Sequence, residues 1–335
     1  MEYIITQESS TRQVRQRDTS LDILKFLLVT GMVIAHTFQF VCSPMPEVVI
    51  WFSTFINTVT FSGFFYVFGQ TTYYSYLSRP DKDIKHKIIR TTMRLLTAYF
   101  ICAFAYTLLI QHSIDPLNYI RIITFFYVPG YSEFLLTFTI LIPTCYFFSN
   151  LLRRMNSKEY LTWGGVILLS TFIPYEYINN THLGLIIGTQ TFTCFPLLQY
   201  FPIYLLGQAT ARRMVSGKFE IFLILLAIVV CCISLFKNTL PNRFPPSIGF
   251  ILLGLGSSVF YRWLSIKIDC YLPENVKNEM SLWGANTLNI LVLSNLSIFG
   301  LYDVYRILEL DFSFINSIIS IGIILTICRI YLRLK

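Results

Sequence analysis

Apolar runs long enough to cross a membrane recur along the whole chain. At about 17 to 25 mostly apolar residues per crossing, ten spans are expected, near 20–42, 48–73, 94–111, 131–149, 160–175, 195–210, 219–236, 247–263, 281–299 and 312–330. The fifth and sixth are short and interrupted by Pro174 and Pro196. With 54% apolar residues, 13% charged residues and a mean hydropathy of +0.59, the chain falls outside the range of a soluble domain with a solvated surface. It reads as an integral membrane protein. No short h-region with a small-residue cleavage site precedes the first run, which is itself long enough to span, so no removable signal peptide is expected.

The basic residues orient these spans, because positive charge is retained on the cytoplasmic side. With the N-terminus inside, 21 of the 26 Lys and Arg fall on inner segments. Only Arg121, Lys237, Arg243 and Arg306 fall outside, and Lys25 lies within the first span. The expectation is an all-α polytopic bundle of ten transmembrane helices with both termini cytoplasmic. Residues 1–17 form a polar tail and 18–335 a single membrane domain, with no solenoid repeat, low-complexity tract or second soluble domain. The net charge of +8 is spread in short clusters between apolar runs instead of one stripe, which argues against nucleic acid as a partner and leaves membrane lipids.

Eight cysteines lie mostly within apolar runs, without a CxxC or a neighbouring His cluster, so neither a zinc site nor a disulfide framework is indicated and no metal is expected. Cys42 and Cys194 alone sit where they can meet on an oxidising face, and that pairing is left open. No G-x-S-x-G elbow, phosphate-binding glycine loop or HExxH is present. Any chemistry must therefore be assembled inside the bundle.

The first span, SLDILKFLLVTGMVIAH (20–36), carries Asp22, Lys25 and His36. At about 100° per residue, Lys25 and His36 differ by about 20°, and Asp22 falls within about 40° of His36, so all three share a face. A rise of about 1.5 Å per residue puts Lys25 roughly 16 Å below His36. Asp22 and Lys25 can be a solvated anchor pair. An ionisable residue deep in a span, such as His36, usually faces the bundle interior or a wet cavity; it can mark a substrate path or simply bond a neighbouring helix. A neutral imidazole can also take a proton from a hydroxyl near pH 7.

Asp22, Lys25 and, ten residues further, His36 resemble the opening motif of the acyltransferase 3 family of membrane O-acyltransferases. GFFYVFGQ (63–70), RTTMRLLTAYF (90–100), LQYFPIYLLGQATAR (198–212), NRFPPSIGFILLGLG (242–256) and GANTLNILVLSN (284–295) are similar to later family segments in the expected order. The chain departs from the family pattern at Lys25 (usually Arg), Phe68 (often Ser), Glu133 (often Trp), and Leu291 and Ser294 (often Tyr and His). The resemblance implies acetyl-CoA as acyl donor from the cytoplasm. It also implies an acceptor hydroxyl on a cell-envelope polysaccharide or its lipid-linked precursor, in a bacterial inner membrane.

On that reading His36 is the general base or a transient acyl carrier, and Glu133, at the same outer level, orients the imidazole or binds sugar hydroxyls. Lys25, Arg90 and Arg94 are the candidate donor-binding residues, the two arginines sharing a helix face four apart. Topology alone also accounts for their charge. Arg243 precedes FPPS (244–247), whose two prolines rigidify the backbone, and Ser247 closes that segment; both are candidate acceptor-binding residues, Arg243 for an acidic group. The rival readings are a glycan or lipid transporter or flippase, which intramembrane charges and broken helices also suit, and a non-catalytic scaffold, which gives Lys25 and His36 no task.

Overall fold

The structure, a computed structural model, describes residues 18–78, 84–192 and 194–335. The tail 1–17, with Arg12, Arg15 and Arg17, lies outside the described residues, as do Arg79 and Lys82 of the second inner segment. Among the described residues the fold is all helical, without a named strand. Its helices are α1 (Thr19–Val41), α2 (Glu47–Thr72, continued by a π turn Tyr73–Leu77), α3 (Ile84–Leu109), α4 (Pro116–Ile123), α5 (Glu133–Phe147), α6 (Ser149–Arg154) and α7 (Ser157–Leu168). They continue with α8 (Thr181–Ile187), α9 (Leu197–Ala211), α10 (Gly217–Lys237), α11 (Ile248–Tyr271), α12 (Glu274–Ala285), α13 (Thr287–Ile307) and α14 (Phe314–Leu334).

Seven of these, α1, α2 with its π turn, α3, α10, α11, α13 and α14, are long and apolar enough to cross a membrane. The expected fourth, fifth and sixth spans are met by shorter helices: α5 with 15 residues, α7 with 12 and α9 with 15. Two of the three carry an internal proline, Pro143 in α5 and Pro202 in α9, and each removes one backbone hydrogen bond from its helix. α7 passes into a 3₁₀ turn at Leu169–Phe172 ahead of Pro174. The ninth span also differs from expectation. Asn286 breaks the helix with φ −110° and ψ 21°, which separates the short α12 from the long α13.

Helix starts follow local chemistry. The Asp18 carboxylate accepts from the Leu21 amide at 3.1 Å to cap α1, Asn156 and Glu159 form a reciprocal capping box on α7, and Ser216 caps α10. Small residues then set how closely helices cross. A Cβ on Gly69 of α2 would collide with the Tyr204 carbonyl oxygen of α9, and one on Gly207 of α9 with the Tyr66 carbonyl of α2. These two glycines therefore let the backbones of α2 and α9 touch, the device that holds helices together where lipid removes any hydrophobic drive between them.

α1 is the centre of the bundle: 67% of its most apolar window is buried, against 17% for α10. It packs on α2, α11, α12, α13 and α14. The outer helices instead present apolar side chains outward, among them Phe222, Leu225 and Val229 of α10 and Ile315, Ile319 and Ile330 of α14. Long apolar helices with so many large apolar side chains turned outward suit lipid, not water.

Polar bonds gather at the two ends of the bundle. At one end Arg262 bonds Asp18 at 3.0 Å, Arg329 bonds Glu279 at 3.0 Å and Lys335 bonds Asn286 at 2.7 Å. Asp18 and the C-terminal Lys335 thus lie on one face. The opposite end is closed by the Ser43 amide on the Phe312 carbonyl at 2.9 Å and by Tyr131 on Gln39 at 3.2 Å.

Candidate functional site

In the half of the bundle away from Asp18 and Lys335, six separate segments line a cavity of about 150 Å³. α1 contributes Met32, His36 and Gln39; the start of α5 contributes Tyr131, Glu133 and Phe134; α13 contributes Leu291 and Asn295; and the loop before α11 contributes Arg243 and Phe244. Phe61 and Phe195 complete the wall. Three residues singled out in the sequence, His36, Glu133 and Arg243, therefore meet at one place although up to 207 positions separate them.

His36 is 5% exposed and turns into the bundle. The Tyr131 ring meets its imidazole edge-on, with centroids 4.8 Å apart and planes at 88°. The Asn295 amide and the Arg243 charge both act on it, yet its Nδ1 has no hydrogen-bond partner. Glu133 opens α5, where the amide dipoles favour a carboxylate. Its Oε2 is likewise buried and unpartnered. The third such atom in the cavity wall is Asn295 Oδ1. The amide orientation is set by its other end, since Nδ2 donates to the Tyr131 carbonyl at 3.3 Å and approaches Cys102 Sγ at 3.8 Å.

The guanidinium of Arg243 lies over the Phe244 ring at 4.4 Å and the Phe61 ring at 5.3 Å. Among the described residues no ion pair holds it. Its backbone is fixed by a bridge to Pro246 and by the Tyr200 hydroxyl donating to its carbonyl at 3.4 Å. Buried polar atoms without partners cost about 1–3 kcal/mol each, so the three at this cavity make it the candidate site for water or a polar guest.

The remaining sequence candidates lie elsewhere. Ser247 caps α11, its hydroxyl accepting from the Phe250 amide at 3.3 Å, and does not line the cavity. Lys25 pairs with Asp22 at 3.2 Å. Asp22 is only 3% exposed, so this pair is not a solvated anchor; Ser281 adds a bond to Asp22 at 3.4 Å. Between Lys25 and His36 the side chains of Leu28, Val29 and Met32 are buried, and the cavity does not reach Lys25.

Arg90 and Arg94 line a separate groove of about 530 Å³ between α3 and α13, with Asn289 and Tyr331 at its sides. The groove climbs to Ile101 and Leu296. Those are the sequence neighbours of Cys102 and Asn295, whose contact closes the seam beside the cavity. Tyr131 and Gln39 belong to the site but were not singled out from sequence. Tyr131 has one local signal, a turn-forming Pro-Gly just before it. Among the described residues no disulfide forms, so Cys42 and Cys194 are not bridged.

Fold and site together define a polytopic helical membrane protein with a polar cavity enclosed in one half of its bundle. No protein-family model, curated protein or solved structure matches the chain.

Proposed function

We propose that the chain is a membrane O-acyltransferase of the acyltransferase 3 type, moving an acetyl group from cytoplasmic acetyl-CoA to a hydroxyl of a cell-envelope polysaccharide or its lipid-linked precursor. The observation that carries this reading is the convergence of His36, Glu133 and Arg243 on one buried cavity, with His36 Nδ1 and Glu133 Oε2 both unpartnered. The face that gathers Asp18 and Lys335 is cytoplasmic, and α5, α7 and α9 complete ten passages through a bacterial inner membrane.

His36 takes the proton of the acceptor hydroxyl as its oxygen attacks the thioester carbonyl carbon. The new C–O bond forms, the C–S bond breaks, and the departing CoA thiolate takes the proton back from the imidazolium. Glu133 orients the imidazole or receives a second acceptor hydroxyl. Arg90 and Arg94 hold the CoA phosphates, where guanidinium groups recognise such oxyanions bidentately. The groove they line rises along α3 and α13 to the Cys102–Asn295 contact at the cavity's edge, and the donor reaches His36 when that contact opens. No metal takes part.

The test is label transfer. Purified protein in detergent, given acetyl-CoA labelled in the acetyl group and envelope glycans extracted from a bacterial host, is expected to yield glycan carrying alkali-labile label. Unlabelled glycan in that assay would overturn the reading. If vesicles bearing the protein then translocate the glycan, the molecule is a transporter.

A further inference from the structure

The cavity also specifies what kind of acceptor enters it. We infer that it holds one pyranose ring bearing an oxyanion, with the anion on Arg243 and ring hydroxyls donating to Glu133 and Asn295. This rests on the acyl-transfer reading only in calling the guest an acceptor.

Size is the first constraint. Engineered cavities of about 150 Å³ take a guest the size of one six-membered ring, and the volume here is about 150 Å³. One sugar residue fits inside, and the rest of a glycan must remain outside. The second constraint is the chemistry of the unpartnered atoms. Asn295 Oδ1 and Glu133 Oε2 are oxygens, and a carbonyl or carboxylate oxygen needs a donor such as a hydroxyl. Because Asn295 Nδ2 is already committed to Tyr131 and Cys102, the amide cannot turn to offer a donor without losing both.

The third constraint is charge. Arg243 brings a positive charge to the wall and has no ion pair among the described residues. Its guanidinium is braced on Phe61 and Phe244, not on a carboxylate. The Glu133 carboxylate in the same wall acts on this charge electrostatically but from beyond ion-pair distance, so the braced guanidinium keeps its donors for a guest oxyanion, either a carboxylate or a phosphate. The aromatic walls, Phe61, Phe195 and Tyr131, offer flat apolar surface to the C–H face of a ring. Hydroxyl donors, an apolar face and an anion within one ring describe an acidic or phosphorylated monosaccharide.

Ligand-observed NMR titration of the purified protein without acetyl-CoA tests this, using methyl β-glucuronide, glucose 1-phosphate and neutral methyl β-glucoside. At least one anionic sugar is expected to bind ten-fold or more tightly than the glucoside. Which one wins assigns the anion to a ring carboxylate or to a phosphate linkage. In Arg243→Gln the preference should vanish while the glucoside binds as before, and Arg243→Lys should keep part of it. Matching size-exclusion profiles establish that the variants are folded. Equal affinity for all three sugars, no binding of any, or equal loss for anionic and neutral sugars in Arg243→Gln would overturn the inference. A preserved preference without label transfer would instead remove the transferase reading and leave the sugar site standing.

Discussion

The Tyr131 carbonyl accepts a hydrogen bond from Asn295 Nδ2 at 3.3 Å, which ties the turn before α5 to the middle of α13. Tyr131 sits at φ 66°, a left-handed conformation that a bulky aromatic residue seldom adopts. That backbone places its ring against the His36 imidazole. Asn295→Leu leaves the carbonyl without its donor and frees the turn. The expected result is a loss of about 1–3 kcal/mol in stability and at least a ten-fold fall in kcat, with KM for acetyl-CoA little changed. Thermal unfolding in detergent and steady-state label transfer read the two effects separately.

The crossing of α2 and α9 has no room for a methyl group at either glycine. Gly207→Ala would press on the Tyr66 carbonyl, and Gly69→Ala on that of Tyr204. Both elements are backbone, so neither can swing aside. Each substitution should cost about 1–3 kcal/mol, the usual range for overpacking. Gly164→Ala, inside α7 and meeting nothing within 4 Å, is the control expected to keep or slightly raise the melting temperature, since Ala favours a helix interior over Gly by about 1 kcal/mol.

Asp18 gives the fold an acid-sensitive contact. Burial pushes its carboxyl up, but the Arg262 guanidinium and bonds from the Ser20 hydroxyl and Leu21 amide outweigh that and hold it below the ordinary 3.8. A carboxylate whose folded value is depressed contributes stability above its unfolded value and loses it as pH falls through the folded one. Asp18→Asn should therefore lower the melting temperature at pH 7. Its difference from the unaltered protein should shrink below pH 3.8 and close at still lower pH.

Arg90 and Arg94 share a groove that Lys25 does not line. Arg90→Gln and Arg94→Gln should each raise KM for acetyl-CoA by about five-fold or more with kcat nearly unchanged, as loss of one charged hydrogen bond predicts. Lys25→Ala removes one countercharge from the buried Asp22, so its main effect should be on stability, about 1–3 kcal/mol. If KM rises as much in Lys25→Ala as in the arginine variants, the lysine belongs to the donor site as well.

The helical spacing of Asp22, Lys25 and His36 is enough to put them on one face, and the length of the apolar runs is enough to place the seven long helices. Both depend on periodicity within a single segment. The short helices are harder to read, because Pro143, Pro174 and Pro202 fall within apolar runs whose composition still resembles a span. The α12–α13 break at Asn286 is announced only by Gly284, two residues earlier, and a lone glycine inside an apolar run does not by itself mark a helix end. The cavity is the least legible part. Glu133 and Arg243 can be nominated for their charge, but their meeting with His36 depends on how α1, α5 and α13 pack. From sequence Asn295 reads more readily as a link between helices than as part of a cavity wall, and its bond to Tyr131 fills that role as well.

The most direct measurement compares acetyl transfer from labelled acetyl-CoA to glycan by the unaltered protein and by His36→Ala, both reconstituted in lipid and matched for folding by size-exclusion profile. With the imidazole as the base, His36→Ala transfers no label above the protein-free background while its melting temperature stays within a few degrees. Label transfer retained by a folded His36→Ala protein would contradict the account, because the cavity would then have lost the group on which its chemistry depends.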